Sequence, residues 1–346
     1  MKINNNNLSR PFSFERFFPP KERGNNIAVI KAPFSLGGPN QAAKDGPGAL
    51  IKGGLLGFLN GLGHKLKVIE PPDVLTELQP SPQKDNRIIN IDPIIQMNKW
   101  IAEQVSKALK DGFLPFTLGG DHSIAIGTIS GIHDVLKKFG VLWIDRHLDK
   151  HSPKNTPSWR AHGMGAITAT ADAQYDPHPD FQDLLRIGSN QILPKVNPEH
   201  LVPFATGEKS RFVQGTRYYP MSYITRNGIS RSISEAITYL KRRVPYIYVV
   251  WDIDSMNVTG TGTEGAGQLD IREGQVIAEE INQRIRLPGL LAGFELVEVA
   301  PSLEKPHLRG QTVAWATQIA GHTFGENLHN NFERLDQNIR VSGSEF

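Results

Sequence analysis

The feature that most constrains the fold is a run of apolar residues that leads into polar ones. Residues 141–149 have the sequence VLWIDRHLD, in which four apolar residues precede Asp145, His147 and Asp149. In an extended segment, side chains two and four positions apart point to the same side. A buried strand would therefore present two carboxylates and an imidazole at its carboxyl end, where open α/β sheets bind their ligands.

Two further apolar runs end in residues of the same kind. Residues 248–254, YVVWDID, end with Asp252 and Asp254, and residues 113–123, FLPFTLGGDHS, place His122 after a Gly-Gly turn. Mixed imidazole and carboxylate ligands suit a hard or borderline divalent ion such as Mn²⁺ better than a thiophilic metal. Six such ligands exceed the needs of one catalytic zinc, so the residues predict a site for two metal ions.

Predicted strands and helices alternate along most of the chain. Asp92 followed by Pro93 predicts a helix start with a side-chain cap, and Gly112 predicts its end. The run FLPFTL predicts the next strand, and a helix is expected from about Ile124 to Lys138. This alternation is typical of an α/β fold in three layers, α/β/α, with a doubly wound, mostly parallel sheet.

The composition limits the domain organisation and the partners. We expect an N-terminal arm over residues 1–24, a single domain over residues 25–325 and a polar tail over residues 326–346. The chain has no cysteine, which excludes disulfides and thiolate metal sites, and its net charge of +3 is spread without a basic block, so nucleic acid is not indicated. Without a signal-peptide core or a stretch of about 18 apolar residues, we expect no membrane span and a cytoplasmic location.

In this order, the three motifs resemble those of the arginase, or ureohydrolase, family of binuclear manganese hydrolases, which includes agmatinases and guanidinobutyrases. The family's Gly-Gly-Asp-His-Ser, Asp-x-His-x-Asp and Asp-x-Asp motifs match residues 119–123, 145–149 and 252–254. The resemblance runs from about Asn25 to about Gly325. It implies an arginase-like catalytic domain, two Mn²⁺ ions, with Co²⁺ or Ni²⁺ as possible substitutes, and a homo-oligomer, a trimer or a hexamer.

The resemblance also implies a reaction on a small guanidino substrate. The ions would be held by six ligands, which are His122, Asp145, His147, Asp149, Asp252 and Asp254. A hydroxide bridging the ions would attack the guanidinium carbon of an arginine-like or ω-guanidino carboxylate substrate and release urea and an amine. Asp149 counts among the implied catalytic residues, with Glu298 as the guanidinium-binding carboxylate and His162 as the proton carrier to the leaving amine. Thr263 matches a threonine beside the guanidinium.

The segment after Asp149, which selects the substrate in arginases, departs from the family pattern. His151 stands where arginases have the asparagine that holds the substrate carboxylate. Arg160 replaces a second asparagine, whereas Ser158, also a carboxylate contact in the family, is retained. The alternative is that His151 and Arg160 are solvated loop residues without a role in selection.

The family's aspartate for the substrate α-amino group should fall near residues 196–200, VNPEH, where Asn197 precedes the proline and Glu199 could substitute. Without a carboxylate there, an α-ammonium group would be buried unpaired at a cost of several kcal/mol. We therefore expect an ω-guanidino carboxylate such as 4-guanidinobutanoate rather than arginine. Its carboxylate would be bound by Ser158 and Arg160.

Two other functions are compatible with the same residues. One is a hydrolase of another C–N bond, in an amidine or formimino compound, on the same scaffold. The other is an arginase-like protein that binds metal but is catalytically silent. The retained Glu298 and His162 favour an enzyme, because a silent protein has no need to keep them.

Overall fold

The computed structural model describes residues 25–82, 85–207, 217–263 and 267–326; the expected arm, and the expected tail beyond residue 326, lie outside these ranges. Within them, eight strands form one sheet in the order β2-β1-β3-β8-β7-β4-β5-β6, and all neighbouring strands are parallel. The strands are β1 Asn26–Ala32, β2 Lys65–Ile69, β3 Leu114–Gly119, β4 Gly140–Ile144, β5 Leu201–Thr206, β6 Tyr219–Pro220, β7 Ile247–Asp252 and β8 Leu291–Val297.

Helices cover both faces of the sheet, so the predicted three-layer α/β/α fold is confirmed. The α-helices are α1 Gly46–Lys52, α2 Leu55–Gly61, α3 Asp73–Thr76, α4 Ile91–Lys110, α5 Ala125–Val135, α6 Gly165–Thr170, α7 Pro179–Leu185, α8 Met221–Asn227, α9 Ile229–Lys241, α10 Ile271–Ile281 and α11 Gln311–Phe324. Helices α4 to α7 pack on one face, and α1, α2 and α8 to α11 pack on the other. Among the described helices, none has the length and apolar character needed to cross a membrane.

Strand β4 shows why a continuous apolar run becomes a central strand. Successive side chains point to opposite faces of a sheet. Accordingly, Val141 and Trp143 pack into one apolar layer, whereas Leu142 and Ile144 pack into the other, and all four are fully buried. A strand covered on both faces needs apolar residues at every position, which is the pattern of parallel sheets.

Helix α4 begins two residues earlier than predicted, and its cap is not Asp92. The first helical residue is Ile91, and the residue before it, Asn90, has a φ of 58°. The Asn90 side chain accepts the Ser81 N–H and donates to the Leu36 carbonyl, which fixes the chain at this point. Proline is tolerated as the third helical residue because the first N–H groups of a helix have no partner within it.

Helix α5 ends at Val135, three residues before the predicted end at Lys138. The next residue, Leu136, is extended, with a φ of −104° and a ψ of 102°. Near this end, Asp134 accepts the backbone N–H groups of Ser189 and Asn190. Helix α5 thus ends where Asp134 bonds to residues 189 and 190, and the periodicity of the sequence did not indicate this end.

Lys195 is a buried lysine in the layer formed by α4 to α7. Only 4% of its surface is exposed, and its Nζ donates to Ser130 Oγ at 2.7 Å. Burial lowers the pKa of Lys195 to about 7, and the charge of Asp134 only partly opposes this effect. The folded protein therefore loses a proton here that the unfolded chain would keep.

Replacing Lys195 with methionine is expected to stabilise the protein most at low pH. The unfolded chain binds more protons between the folded pKa of about 7 and the ordinary value of 10.5, so this group makes the wild type more stable as pH rises through that window. The advantage of the variant in free energy of unfolding should fall by about 2–3 kcal/mol from pH 6 to pH 9. Urea denaturation of both proteins at pH 6 and pH 9 measures the free energies of unfolding. A difference between variant and wild type that does not change with pH would contradict the expectation.

Candidate metal centre and substrate cavity

Four adjacent strands at the centre of the sheet, β3, β8, β7 and β4, end beside one another. His122 begins the turn that follows β3, Asp145 directly follows β4, Asp252 is the last residue of β7, and Glu298 directly follows β8. Because the strands are parallel, their carboxyl ends meet at one edge of the sheet. The sheet therefore gathers these side chains although 176 positions separate the first from the last.

The residues after β4 do not continue the strand. The prediction that an extended segment brings Asp145, His147 and Asp149 to one side is therefore wrong. Strand β4 ends at Ile144, and Asp149 has a φ of 47°, in the left-handed region. Hydrogen bonds shape the segment instead. The His147 N–H donates to Asp145 Oδ1 at 2.6 Å, and the Asp149 carbonyl accepts the Ile167 N–H at 3.2 Å.

His122 stands at the centre of one group of ligand-type side chains. Its Nδ1 lies 3.1 Å from Asp145 Oδ2, 2.9 Å from Asp149 Oδ2 and 3.0 Å from Asp252 Oδ2. All four side chains are buried. Because one ring nitrogen donates a single proton, three carboxylates around it suit a divalent cation better than a hydrogen bond.

His147 belongs to a second group, which shares Asp145 with the first. His147 Nδ1 lies 2.8 Å from Asp254 Oδ2 and 3.7 Å from Asp145 Oδ1. In the groups His122–Asp145–Asp149 and Asp145–His147–Asp254, the ligand atoms all lie within 4.8 Å of one another, so each group could hold a metal ion. Asp145 is thus placed to contact both positions.

Among the described residues, the carboxylates at this edge of the sheet outnumber the basic side chains that contact them. Burial raises the pKa of Asp145 well above its ordinary value, and the neighbouring Asp149 and Asp254 raise it further. Burial and Asp254 likewise raise the pKa of Asp252 to about 7. Burial opposes charge on His122, but the carboxylates outweigh it and raise its pKa well above the ordinary value. Imidazole and carboxylate ligands with excess negative charge fit divalent ions of the Mn²⁺ type.

Glu298 is fully buried beside this group and has a φ of 64°. Its N–H donates to the Gly120 carbonyl, its carbonyl accepts the Gly262 N–H, and its Oε1 accepts the His122 N–H at 2.8 Å. Its Oε2 has no hydrogen-bond partner among the described residues. Burial, and then the charge of Asp252, raise the pKa of Glu298 well above its usual range. One carboxylate oxygen is therefore left for a cationic partner.

A cavity of about 260 Å³ opens beside the ligand groups. It is lined by Pro39, His122, His147, Asp149, His151, Pro157, Ser158, His162, Gly163, Asp252 and Thr263. Burial lowers the pKa of His162, although Asp149 and Asp121 act in the opposite direction. The Thr263 hydroxyl donates to Asp254 Oδ2 at 2.7 Å. The cavity therefore brings together metal-type ligands, an imidazole and a hydroxyl.

The three residues expected to select the substrate are not equivalent. His151 and Ser158 line the cavity, but Arg160 does not. Arg160 Nη1 donates to the Gly38 carbonyl at 2.6 Å, and its backbone N–H donates to Ser158 Oγ at 3.3 Å. Arg160 is thus adjacent to the cavity wall rather than part of it.

Asn197 and Glu199 lie far from the cavity, so the interpretation of Glu199 as a substitute contact for the α-amino group is wrong. Both precede β5, and its first residue, Leu201, pairs with Val141 near the start of β4. The ligand groups lie at the opposite, carboxyl edge of the sheet. Residues 208–216, which come after β5 in the sequence, lie outside the described residues.

Glu295 is a buried carboxylate of the site that the sequence analysis missed. It lies within β8, with Oε1 at 3.7 Å from His122 Nε2, on the side of the ring away from the ligand carboxylates. Its Oε2 accepts hydrogen bonds from Tyr248 and Thr128. A carboxylate behind a histidine ligand orients the ring and raises its basicity. The signal in the sequence was a charged residue inside an apolar run, GFELVEV.

Replacing Glu295 with glutamine is expected to weaken metal binding about 10- to 100-fold, because the variant lacks the negative charge that faces His122. Competition with a chelator measures the affinity of the dialysed protein for Mn²⁺. Tyr248→Phe, which leaves the carboxylate in place, is the control and should change the affinity much less. Equal affinities in Glu295→Gln and the wild type would show that Glu295 does not support the ligand.

Known proteins of one family match this chain. A model of the arginase family matches residues 25–325. The arginase of Bacillus caldovelox is 30% identical over 312 residues, which cover 87% of this chain and 99% of the relative. Arginase-2, mitochondrial, of Homo sapiens is 33% identical over 326 residues, which cover 88% and 86%. The solved structure of the B. caldovelox arginase matches with a TM-score of 0.77 and 28% identity, covering 88% and 99%. The protein therefore belongs to the arginase family, whose members are hydrolases that act on guanidino C–N bonds.

Proposed function

We propose that this chain is a binuclear, metal-dependent ureohydrolase that acts on an ω-guanidino carboxylate. The observation that carries the proposal is that Asp145 belongs to both ligand groups, directly beside a cavity. Two Mn²⁺ ions are the proposed cofactor, with Co²⁺ or Ni²⁺ as substitutes that the same ligands accept. The proposed ligands are His122, Asp145, His147, Asp149, Asp252 and Asp254.

The residues that line the cavity, and Glu298, which does not line it but contacts the lining residue His122, have separate roles in the proposed reaction. When bound, two divalent ions lower the pKa of a shared water and so supply a nucleophile at neutral pH. Asp149 lines the cavity and would orient that water through a hydrogen bond. Glu298 would pair with the cationic guanidinium, and Thr263 would lie beside it. His162, kept neutral by burial, would carry a proton to the amine that leaves as urea is formed.

The outer wall of the cavity supports a substrate that lacks an α-amino group. Apart from the ligand-type residues, the described wall consists of Pro39, His151, Pro157, Ser158, His162, Gly163 and Thr263, none of which is acidic. An α-ammonium group would meet no carboxylate on this part of the wall. A carboxylate would meet the Ser158 hydroxyl and the imidazole of His151, with the charge of Arg160 next to them.

Two substrates that differ only in the α-amino group test this specificity. Arginine and 5-guanidinopentanoate have the same chain length, and 4-guanidinobutanoate, 3-guanidinopropionate, agmatine and guanidine complete the panel. We expect kcat/KM for the compounds with a carboxylate but no α-amino group to exceed that for arginine about tenfold or more. A preference for arginine above tenfold would overturn the proposed substrate class. Urea release by the Mn²⁺-loaded protein is the assay.

The same panel separates the alternative functions. If no compound releases urea while two ions are bound, the chain acts on another C–N bond, such as an amidine or a formimino group, or is catalytically silent. The proposal further includes residues 25–325 as one catalytic domain, a homo-oligomer (trimer or hexamer) and a cytoplasmic location. Light scattering of the purified full chain distinguishes the oligomers from a monomer.

A further inference from the structure

The loop over residues 150–163 connects the ligand Asp149 to His162 and contributes His151 and Ser158 to the cavity wall. Within this loop Trp159 has a φ of 55°, in the left-handed region that bulky side chains rarely adopt. Such a conformation persists only where the surrounding structure holds it. The contacts that hold Trp159 therefore also determine where its neighbour Ser158 lies.

The backbone and the ring of Trp159 are held from outside the loop as well as from within it. Its N–H donates to Thr156 Oγ1 at 3.0 Å, inside the loop. Its carbonyl accepts the Ile89 N–H at 2.9 Å, and its ring packs against His178 with ring centroids 5.8 Å apart. Neither Ile89 nor His178 lines the cavity. The loop is thus attached to two segments that do not contact the substrate.

The first attachment depends on Asp180, a residue of α7 with no exposed surface. Its carboxylate accepts the Ile88 N–H at 2.8 Å and the Arg87 Nε–H at 2.6 and 2.7 Å. Hydrogen bonds between a guanidinium and a carboxylate are strong and directional. Asp180 therefore fixes the two residues that precede Ile89, the donor to Trp159.

The second attachment depends on Asp176, which is also buried. Its Oδ2 accepts the N–H of Lys154 in the loop, and its Oδ1 accepts the N–H of His178, both at 3.0 Å. His178 Nε2 in turn lies 2.8 Å from the Asn86 carbonyl, next to Arg87. The two buried carboxylates and residues 86–89 thus form one frame around the loop.

We propose that Asp176 and Asp180 are positioning residues for substrate selection, which brace the loop so that Trp159 keeps its left-handed conformation and Ser158 stays at the cavity wall. The inference rests on the proposed function, because the loop can select only among molecules that the cavity binds. A merely structural role would change stability or metal content. A positioning role changes KM only for substrates that reach the loop.

The test is Asp180→Asn in the Mn²⁺-loaded full chain, assayed with 4-guanidinobutanoate and with propylguanidine, which has no carboxylate. We expect KM for 4-guanidinobutanoate to rise about tenfold, because a misplaced contact costs binding, while kcat and the metal content stay unchanged. KM for propylguanidine should not change. Asp183→Asn, at an exposed residue of the same helix that pairs with Arg186 on the surface, is the matched control and should equal the wild type.

Three results would overturn the proposal. They are an unchanged KM for 4-guanidinobutanoate, an equal rise in KM for both compounds, and a loss of bound metal. If Asp180→Asn does not fold, Asp176→Asn, which releases the same loop at Lys154, must give the same selective rise.

Hydrogen exchange separates failure of this inference from failure of the proposed function. Peptides over residues 150–163 should exchange faster in Asp180→Asn than in Asp183→Asn, whether or not the protein releases urea. Equal exchange rates in the two variants would show that Asp180 does not hold the loop. If the wild type releases no urea, the proposed function fails. The Kd for 4-guanidinobutanoate, measured by calorimetry, then replaces KM in the comparison. An identical Kd in Asp180→Asn and the wild type would overturn the inference.

Discussion

Replacing Asp145 with asparagine is expected to leave the protein folded but to remove most of its metal binding and urea release. Asp145 is fully buried and belongs to both ligand groups, so its charge would serve both proposed metal positions. The amide keeps the shape of the side chain and removes that charge. We expect the bound metal to fall from two ions per chain to one or none, and urea release to fall on the order of 10³-fold.

Metal analysis after dialysis and initial rates of urea formation measure these effects. Without metal, Asp149 and Asp254 repel the charge of Asp145, and its removal offsets the hydrogen bond that the amide loses, because the two carboxylate oxygens accept N–H groups of Trp143 and His147. The metal-free variant should therefore unfold at about the same temperature as the metal-free wild type. That result excludes misfolding as the cause. Asp180→Asn, which also neutralises a buried carboxylate, is the control and should retain both ions. Two ions retained in Asp145→Asn would show that Asp145 is not a shared ligand.

Replacing Glu298 with glutamine is expected to produce the opposite pattern, with metal retained and catalysis lost. Glutamine can still accept the His122 N–H through its carbonyl oxygen, which preserves the local structure. It cannot supply the negative charge at the Oε2 position, which has no partner among the described residues. An unpaired buried guanidinium costs about 3–4 kcal/mol, so kcat/KM should fall about 10²- to 10³-fold.

Glu295→Gln is the matched control for this variant, because it changes another buried glutamate of the same strand region. Glu295→Gln should bind metal more weakly, and saturating Mn²⁺ should restore much of its activity. Glu298→Gln should stay impaired at any Mn²⁺ concentration. If Glu298→Gln loses its metal instead, Glu298 supports the ligand His122 and does not bind the guanidinium. Steady-state kinetics over a range of Mn²⁺ concentrations distinguish these results.

Much of the sheet was predictable because a strand buried on both faces must be apolar throughout. Residues 141–144 show this directly, since their side chains alternate between the two layers. Strand β5 was missed because its sequence, LVPFAT, contains Pro203, a residue disfavoured inside sheets. Strand β2, KLKVI, was missed because it lies at the edge of the sheet and is largely exposed.

The residues of the candidate metal centre were named from local motifs, but the motif did not supply the correct geometry. The spacing of Asp145, His147 and Asp149 suggested an extended segment, whereas the chain turns after Ile144 and Asp149 is left-handed. The resemblance to a known family names the same residues without relying on an extended segment. For Glu199 the resemblance failed. A loose match predicted it beside the substrate, whereas it precedes β5, at the edge of the sheet opposite the ligand groups.

The sequence by itself determined which residue types stand after each apolar run, and hence the chemistry available at the ends of the strands. Only the tertiary structure decided which ends are neighbours, because the order β3-β8-β7-β4 depends on how both apolar layers are buried. That order places Glu295 behind His122 and Glu298 beside it. Likewise, Asp176 bonds directly to the loop around Trp159, whereas Asp180 holds Ile88, whose neighbour Ile89 donates to Trp159. These bonds join segments distant in the chain, and no local pattern encodes such contacts.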